Sequence, residues 1–488
     1  MMAVFRGSGP SWGQKWRSSE LFIITATATA LLTDMFLYQF LISILPYVLE
    51  HRLSLEPSLI QDVSTALLAE SALVSFLVTP LIHRFTDHLG ARTWLLLGLL
   101  GQMGGSMIIA SSQSLPMLFS GRFVQAVANT TVGVLGLIHL TKLSLSNGTE
   151  RIYRVLTMSM AAGSSGGPLM AGAVFELAGY WTAWMSALGA CLVGVMLQSL
   201  MLVPSQETDS EHESTKVQPV IREDTNEESP LLVPSQVSDL AQLPGRLRTV
   251  NLDFQFYMCL LTKRRYIGGI LSSICYAIVS VSFDTTIPLH VLDVFHWGSF
   301  HTGILFGILQ GPNAFFSVPV KWLKDRVGSR YPTSVGFLGL AALLWLMGTP
   351  GNEQFPWANI GHRGPIIYGT AIAAIGIFMT LLNGTGMIEA ANAVREIKTE
   401  QPGRFGAETY SQAMLISRLS WTFGLFLGPI VSGQLTEKFG YYEMSCVLGK
   451  YTNHYIKFSQ GFTSVWANHP LAKICLLCAV FAVWNLRS

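Results

Sequence analysis

Eleven runs of apolar residues, each long enough to cross a bilayer as a helix, dominate this sequence. They fall at about 20–46, 60–82, 93–112, 115–141, 153–175 and 178–203, then at 266–290, 301–323, 332–350, 366–392 and 409–434. A helix of roughly 20 residues spans the ~30 Å hydrocarbon core of a membrane. A buried soluble helix accounts for one such run and not for eleven. The charge count agrees. The 31 Lys and Arg and 29 Asp and Glu make up 12% of 488 residues, about half the share of a soluble protein. So few charges do not cover the surface of two or three soluble domains. The balance excludes a soluble enzyme, a disordered chain and a nucleic-acid binder, and a net charge of +2 gives no pull toward a polyanion. The six Cys form neither a metal-ligand set nor a disulfide framework. No set of His, Cys and acids is clustered for catalysis, so no enzyme, metal or cofactor is expected.

The charges also give an orientation. The first run is too long for a signal peptide and has no small-residue cleavage site after it. Most Lys and Arg sit in the tail 1–19, in the loops after even-numbered spans, and in the long central stretch. The opposite loops carry only Arg52, Arg363 and Lys438. Basic loops stay on the cytoplasmic side, which places both termini there with twelve spans. The central stretch, 204–265, is rich in Asp, Glu, Ser and Pro and reads as a disordered cytoplasmic linker. Within it, Glu227-Glu228-Ser229-Pro230-Leu231-Leu232 fits an acidic dileucine sorting pattern. The linker divides the chain into six-span halves, 20–203 and 266–488. Span 12 is irregular: after Gly449 the sequence turns polar and aromatic to about 469, then apolar from Leu471 to Trp484. An insertion at about 450–469, from a retained intron or alternative splicing, is the hypothesis that this shift suggests; transcripts with no junction near Gly449 would sink it.

Two motifs recur in the same order in the two halves. Asp87-His88-Leu89-Gly90-Ala91-Arg92 follows span 2, and Asp325-Arg326-Val327-Gly328-Ser329-Arg330 follows span 8. Span 5 carries Gly163-x-x-x-Gly167-Pro168-x-x-x-Gly172, and span 11 carries Gly424-x-x-x-Gly428-Pro429-x-x-x-Gly433. Parallel six-helix repeats with a substrate site between them are a common transporter plan. On these residues, over about 20–445, the chain resembles the major facilitator superfamily, in its twelve-span drug:proton antiporter branch. Arg122-x-x-Gln125-Ala126 is similar to that branch's span-4 motif. Span 1, from Thr33-Asp34 through Tyr38 to Leu45-Pro46, resembles fungal exporters related to vesicular amine transporters. His83 and Lys321 stand where the family has Gly before the loop motifs, and Ala126, Ala171 and Ser432 also replace Gly. The resemblance implies an all-α membrane protein of two pseudo-symmetric six-helix bundles.

Each motif has a physical reading. In the loops, Asp caps a turn, Gly permits a positive φ, and Arg is a forked donor. Asp87, Gly90 and Arg92, and Asp325, Arg326, Gly328 and Arg330, are expected to latch neighbouring helix ends, a gating role that the resemblance implies. In spans 5 and 11 the Gly residues make a flat contact face, and Pro168 and Pro429 each remove a helical hydrogen bond. The resemblance makes this element a hinge favouring exchange over leak.

Ionisable groups within hydrocarbon are costly and are functional candidates by default. Asp34 lies near the middle of span 1, with Tyr38 one turn on. Glu70 is inside span 2. Arg122, Gln125 and Asn129 form a polar stripe on span 4, and Asp284 lies in span 7. Thr385, Glu389 and Asn392 share a face of span 10. Arg418 reads as a side chain snorkelling at the start of span 11. Carboxyl groups in a low-dielectric cavity retain protons near neutral pH, so a cationic substrate and a proton compete for one site. The expected protein is a monomeric, proton-driven exporter of small amphipathic molecules such as drugs, toxins or secondary metabolites. It is expected in the plasma membrane, with the vacuolar membrane as the alternative. A proton-coupled nutrient importer and a transport-inactive receptor are the rival readings.

Overall fold

The computed structural model describes residues 14–85, 91–147, 149–201, 254–359, 362–402, 404–405 and 409–461. All regular structure among them is helical. Spans 1–6 are Glu20–Tyr47, Pro57–Phe85, Ala91–Ala110, Leu115–Asn147, Thr149–Ala178 and Tyr180–Leu200. Spans 7–9 are Arg264–Phe295, Ser299–Val327 and Arg330–Gly348. Span 10 is a pair of helices, Arg363–Leu382 and Thr385–Glu400, and span 11 is Thr409–Phe439. The helix Tyr441–Gly461 occupies the place of span 12 and runs unbroken through Gly449. Residues 462–488 lie outside the described set. Nine segments among the described residues are long and apolar enough to cross a membrane. The other long helices stand in the places of spans 4, 5 and 12.

Local chemistry sets the ends. Ser19 accepts the Phe22 N–H at 3.3 Å and caps span 1, with Glu20 favourably placed in the first turn. Span 1 closes in a π-turn, Val48–Arg52, where Leu53 N–H reaches Val48 O. Span 10 breaks at Asn383-Gly384. Gly384 takes φ +74°, and Lys324 donates to the Asn383 carbonyl at 2.7 Å and to Thr385 Oγ1 at 3.0 Å, occupying an acceptor that a helix end leaves open.

Packing follows the repeat. Span 1 lies on span 5 as span 7 lies on span 11; spans 2 and 4 pair as spans 8 and 10 do; spans 3 and 6 pair as spans 9 and 12 do. The halves meet through spans 5 and 8 and through spans 2 and 11.

One boundary differs from expectation. Residues 202–253 lie outside the described set, and with them most of the linker and the dileucine-like hexamer. The linker's last stretch, however, holds a helix, Phe254–Thr262. Its Phe256, Tyr257 and Leu260 bury against Tyr266, Ile270, Ala390 and Ile397. Apolar residues at helical spacing end the polar stretch earlier than the first basic residues before span 7 suggest.

Candidate functional site

The Gly-Pro elements build the frame around the site. A Cβ on Gly163 would run into the Leu32 carbonyl, and one on Gly167 would lie 2.5 Å from the Phe36 carbonyl. A Cβ on Gly424 would lie 2.7 Å from the Ile274 carbonyl, and one on Gly428 would lie 2.9 Å from the Ile278 carbonyl. Each pair of glycines thus seats one turn of span 5 or 11 against one turn of span 1 or 7, backbone to backbone. The third glycine of each element reaches the other half: Gly172 abuts Ser299 of span 8, and Gly433 abuts Thr65 of span 2. Pro168 and Pro429 lie inside their helices, and the Pro168 carbonyl packs on Gly303 of span 8. The contacts of Gly172, Gly433 and Gly303 lie toward the end of the bundle away from the loop motifs. There, Glu176 of span 5 also accepts the Phe300 N–H of span 8 at 3.1 Å.

Midway along the bundle the acids and bases gather. Asp34 is fully buried, and Gln102 of span 3 donates to its Oδ1. Asn129 of span 4 faces the same carboxylate. Asp34 Oδ2 and Asn129 Nδ2 are buried without a hydrogen-bond partner among the described residues. Arg122 is 1% exposed. Its Nε donates to Ser71 Oγ at 2.7 Å and its Nη1 to Gln125 Oε1 at 2.6 Å. Gln125 in turn donates to Ser106 Oγ at 3.1 Å. The guanidinium carbon stands 4.8 Å from the centre of the Tyr38 ring, a cation–π distance. Glu70 and Asp284 also lie in its field. Asp284 is buried on span 7 and faces Gln39 of span 1.

Arg418 corrects the snorkelling expectation. Its Nη2 lies 3.5 Å from the point where a Cβ on Gly133 would sit, and Asp34 Oδ2 lies 3.6 Å from that same point. Span 11 therefore carries a cation across to the span-1 carboxylate rather than to a headgroup layer. A basic residue about ten positions into a helix has no sequence signature separating these outcomes. Gln102, Ser71, Ser106 and Gln39 were also missed. Single polar residues in apolar spans give no periodic signal.

Glu389 belongs to a second cluster, at the motif end. Ser329 donates to its Oε1, and Arg265 donates to its Oε2 at 3.2 Å. Lys324, 4% exposed, lies in its field. Thr385 and Asn392, on the same face of span 10, respectively bind Lys324 and line a cavity of about 260 Å³. Thr157 of span 5, Asn313, Ser317 and Asp325 of span 8, and Asn383 of span 10 also line it. Gly328 has φ +84°, the turn geometry expected of the loop Gly. Arg326 is exposed and stacks 4.2 Å over Trp322, and Arg330 opens span 9. In the first half, Arg92 donates to the Ser199 carbonyl near the end of span 6, beside Arg17, which donates to Leu200 O at 2.7 Å. Cations at a helix C-terminus satisfy its free carbonyls. Asp87 and Gly90 lie outside the described residues. Among the described residues no group of three His, Cys, Asp or Glu could hold a metal ion.

Comparisons with known proteins bear on the family and the fold. The sequence model described as Major Facilitator Superfamily matches residues 27–396. The MFS-type transporter ppzB of Metarhizium rileyi is 25% identical, covering 90% of this chain and 94% of its own. The uncharacterized MFS-type transporter C18.02 of Schizosaccharomyces pombe is 26% identical over 88% and 92%. A probable vesicular acetylcholine transporter-B of Danio rerio is 21% identical over 88% and 76%. Among solved structures, the nucleoside transporter NupG aligns with a TM-score of 0.60 at 13% identity, over 91% of this chain and 99% of its own. The human organic anion transporter MFSD10 aligns with a TM-score of 0.52 at 15% identity, over 90% and 99%.

Proposed function

The chain belongs to the Major Facilitator Superfamily, and from that premise we propose that it exports small amphipathic, chiefly cationic, organic molecules in exchange for protons. The observation carrying this reading is Asp34: a buried carboxylate with one oxygen paired to Gln102 and the other facing Arg418 and Asn129, with no hydrogen-bond partner for it among the described residues. A carboxylate so placed is available to a proton or to a cation, and not to both. Binding one expels the other, which couples the two flows by alternating access. Arg122 holds Tyr38, Gln125 and Ser71 in place around the pathway and adds a fixed positive field toward Glu70 and Asp284. The paired glycines of spans 5 and 11 favour this exchange by letting each half move as a tightly seamed unit.

Topology supports the direction. By the positive-inside rule, the basic residues favour a cytoplasmic side for the loop motifs and both termini. The halves then touch at the outer end, with the cavity between spans 5, 8 and 10 on the inner side. In this arrangement the cavity is on the side from which an exporter loads. The site is assigned to a single protomer in the plasma membrane, with the vacuolar membrane as the alternative.

Transport in inside-out vesicles tests the proposal. An inside-acid gradient should drive uptake of ethidium, an amphipathic cation. Uptake only under an outside-acid gradient would make the protein an importer, and binding without flux in either direction would make it a receptor.

A further inference from the structure

The buried charges are crossed between the halves. Asp34 of the first half faces Arg418 of the second, and Asp284 of the second lies in the field of Arg122 of the first. The two cations are held differently. Arg122 is fastened by Ser71, Gln125 and Tyr38 within its own half. Arg418 is only partly buried, and its guanidinium approaches Asp34 Oδ2 over the bare backbone of Gly133 without closing a hydrogen bond to it. One cation is a fixture. The other is a charge on a long tether, on the same side of Gly133 as the oxygen that the proposed substrate needs.

We infer that Arg418 is a specificity-determining residue, a tethered counter-ion that sets which substrate charge the Asp34 site accepts. With Arg418 in place, the site is close to neutral. An organic cation gains Oδ2 only by displacing the guanidinium's field, while Gln102 keeps Oδ1 and Asn129 Nδ2 stays beside the carboxylate. Only cations with enough apolar surface to offset this competition are retained, which selects bulky amphipathic cations over small hydrophilic ones. The displaced guanidinium also supplies the return stroke. Once cargo has left, Arg418 again faces the carboxylate, which keeps the released cation from rebinding. Span 11 carries Arg418 and also joins the halves through Gly433 and Thr65, so the guanidinium moves with the second half relative to Asp34. The inference rests on the reading of Asp34 as the substrate carboxylate, and its test separates the two.

Tetraphenylphosphonium and tetraphenylborate have the same shape and opposite charge. Their binding to the purified full-length protein in detergent reads charge selectivity without requiring transport. Arg418→Gln should tighten tetraphenylphosphonium at least about tenfold, the effect of removing one cation several ångströms away in a partly screened site, and should weaken tetraphenylborate. Arg418→Lys should keep the wild-type order. Asp34→Asn should do the reverse of Arg418→Gln, weakening the cation and tightening the anion. If Arg418→Gln shifts both probes alike, or neither, Arg418 does not set selectivity and the inference is overturned. If Asp34→Asn leaves cation binding intact while Arg418→Gln still shifts the ratio, the Asp34 reading fails and the Arg418 assignment stands on another acid. Should Arg418→Gln elute as aggregate, Asp34→Asn alone decides: unchanged tetraphenylborate affinity contradicts a facing cation.

Discussion

Two charged clusters, one midway along the bundle and one at its motif end, use the same residue types for different ends. In the first, Asp34 Oδ2 and Arg122 Nη2 have no hydrogen-bond partner among the described residues. In the second, Glu389 is bound on both oxygens, by Ser329 and Arg265, and Lys324 closes the break in span 10. On the proposed reading, the open oxygen of Asp34 belongs to a site that exchanges partners and the filled ones of Glu389 to a fastening. The Gly-Pro elements add a contrast. Their contacts repeat from half to half, span 5 on span 1 and span 11 on span 7, whereas the buried charges do not repeat. The scaffold is duplicated and the chemistry is not.

Substitutions can break that contrast. The largest stability effect is expected at Arg122. Arg122→Met leaves Ser71, Gln125 and the Tyr38 face without their cation deep in the bundle, at about 1–3 kcal/mol for each polar group stranded. Thermal unfolding in detergent should show a drop exceeding that of any motif-end variant. Gly163→Ala and Gly424→Ala come next, at about 1–3 kcal/mol each for a Cβ forced against packed backbone. The two should lower the midpoint by similar amounts, and a wide disparity would end the claim of a duplicated frame. Lys324→Met should cost about 1–3 kcal/mol, because the Asn383 carbonyl loses its donor. Binding of tetraphenylphosphonium to this variant should match wild type, and a lost site would place Lys324 among the substrate groups.

The smallest effect is expected at Lys263, in front of span 7. Its ammonium is 2.6 Å from Glu400 and 2.9 Å from Glu396. Its hydrogen bonds to Glu400 and then Glu396 raise its pKa above the ordinary lysine value. A raised lysine pKa contributes stability below the ordinary value near 10.4, and the contribution is lost as pH climbs through the raised one. Stability should therefore be insensitive to this pair from pH 6 to 8. Lys263→Ala should cost under about 1 kcal/mol, as for exposed pairs.

Much of this was legible in the sequence, because spans, repeats and Gly-x-x-x-Gly-Pro spacing express backbone geometry that recurs with a period. Gly328 was readable for the same reason, since a positive φ selects its residue type. The helix at Phe254–Thr262 escaped notice because composition shifts before charge does. The break in span 10 sat in plain view as Asn383-Gly384, a turn dipeptide inside an apolar run. Arg418 was opaque for a physical reason. Whether a long cationic side chain snorkels or reaches inward depends on the opposing surface, here the bare Gly133 and Asp34, and that surface belongs to distant segments of the chain.

The central claim is that the mid-bundle carboxylate, not the motif-end one, carries the proton exchanged for cargo. Proteoliposomes with a luminal pH dye, given ethidium after an acid-lumen gradient is set, test it directly. Wild type and Glu389→Gln should lose luminal acidity faster when ethidium is added, and Asp34→Asn should show no such acceleration. Ethidium-dependent proton loss that survives in Asp34→Asn and vanishes in Glu389→Gln would contradict the account.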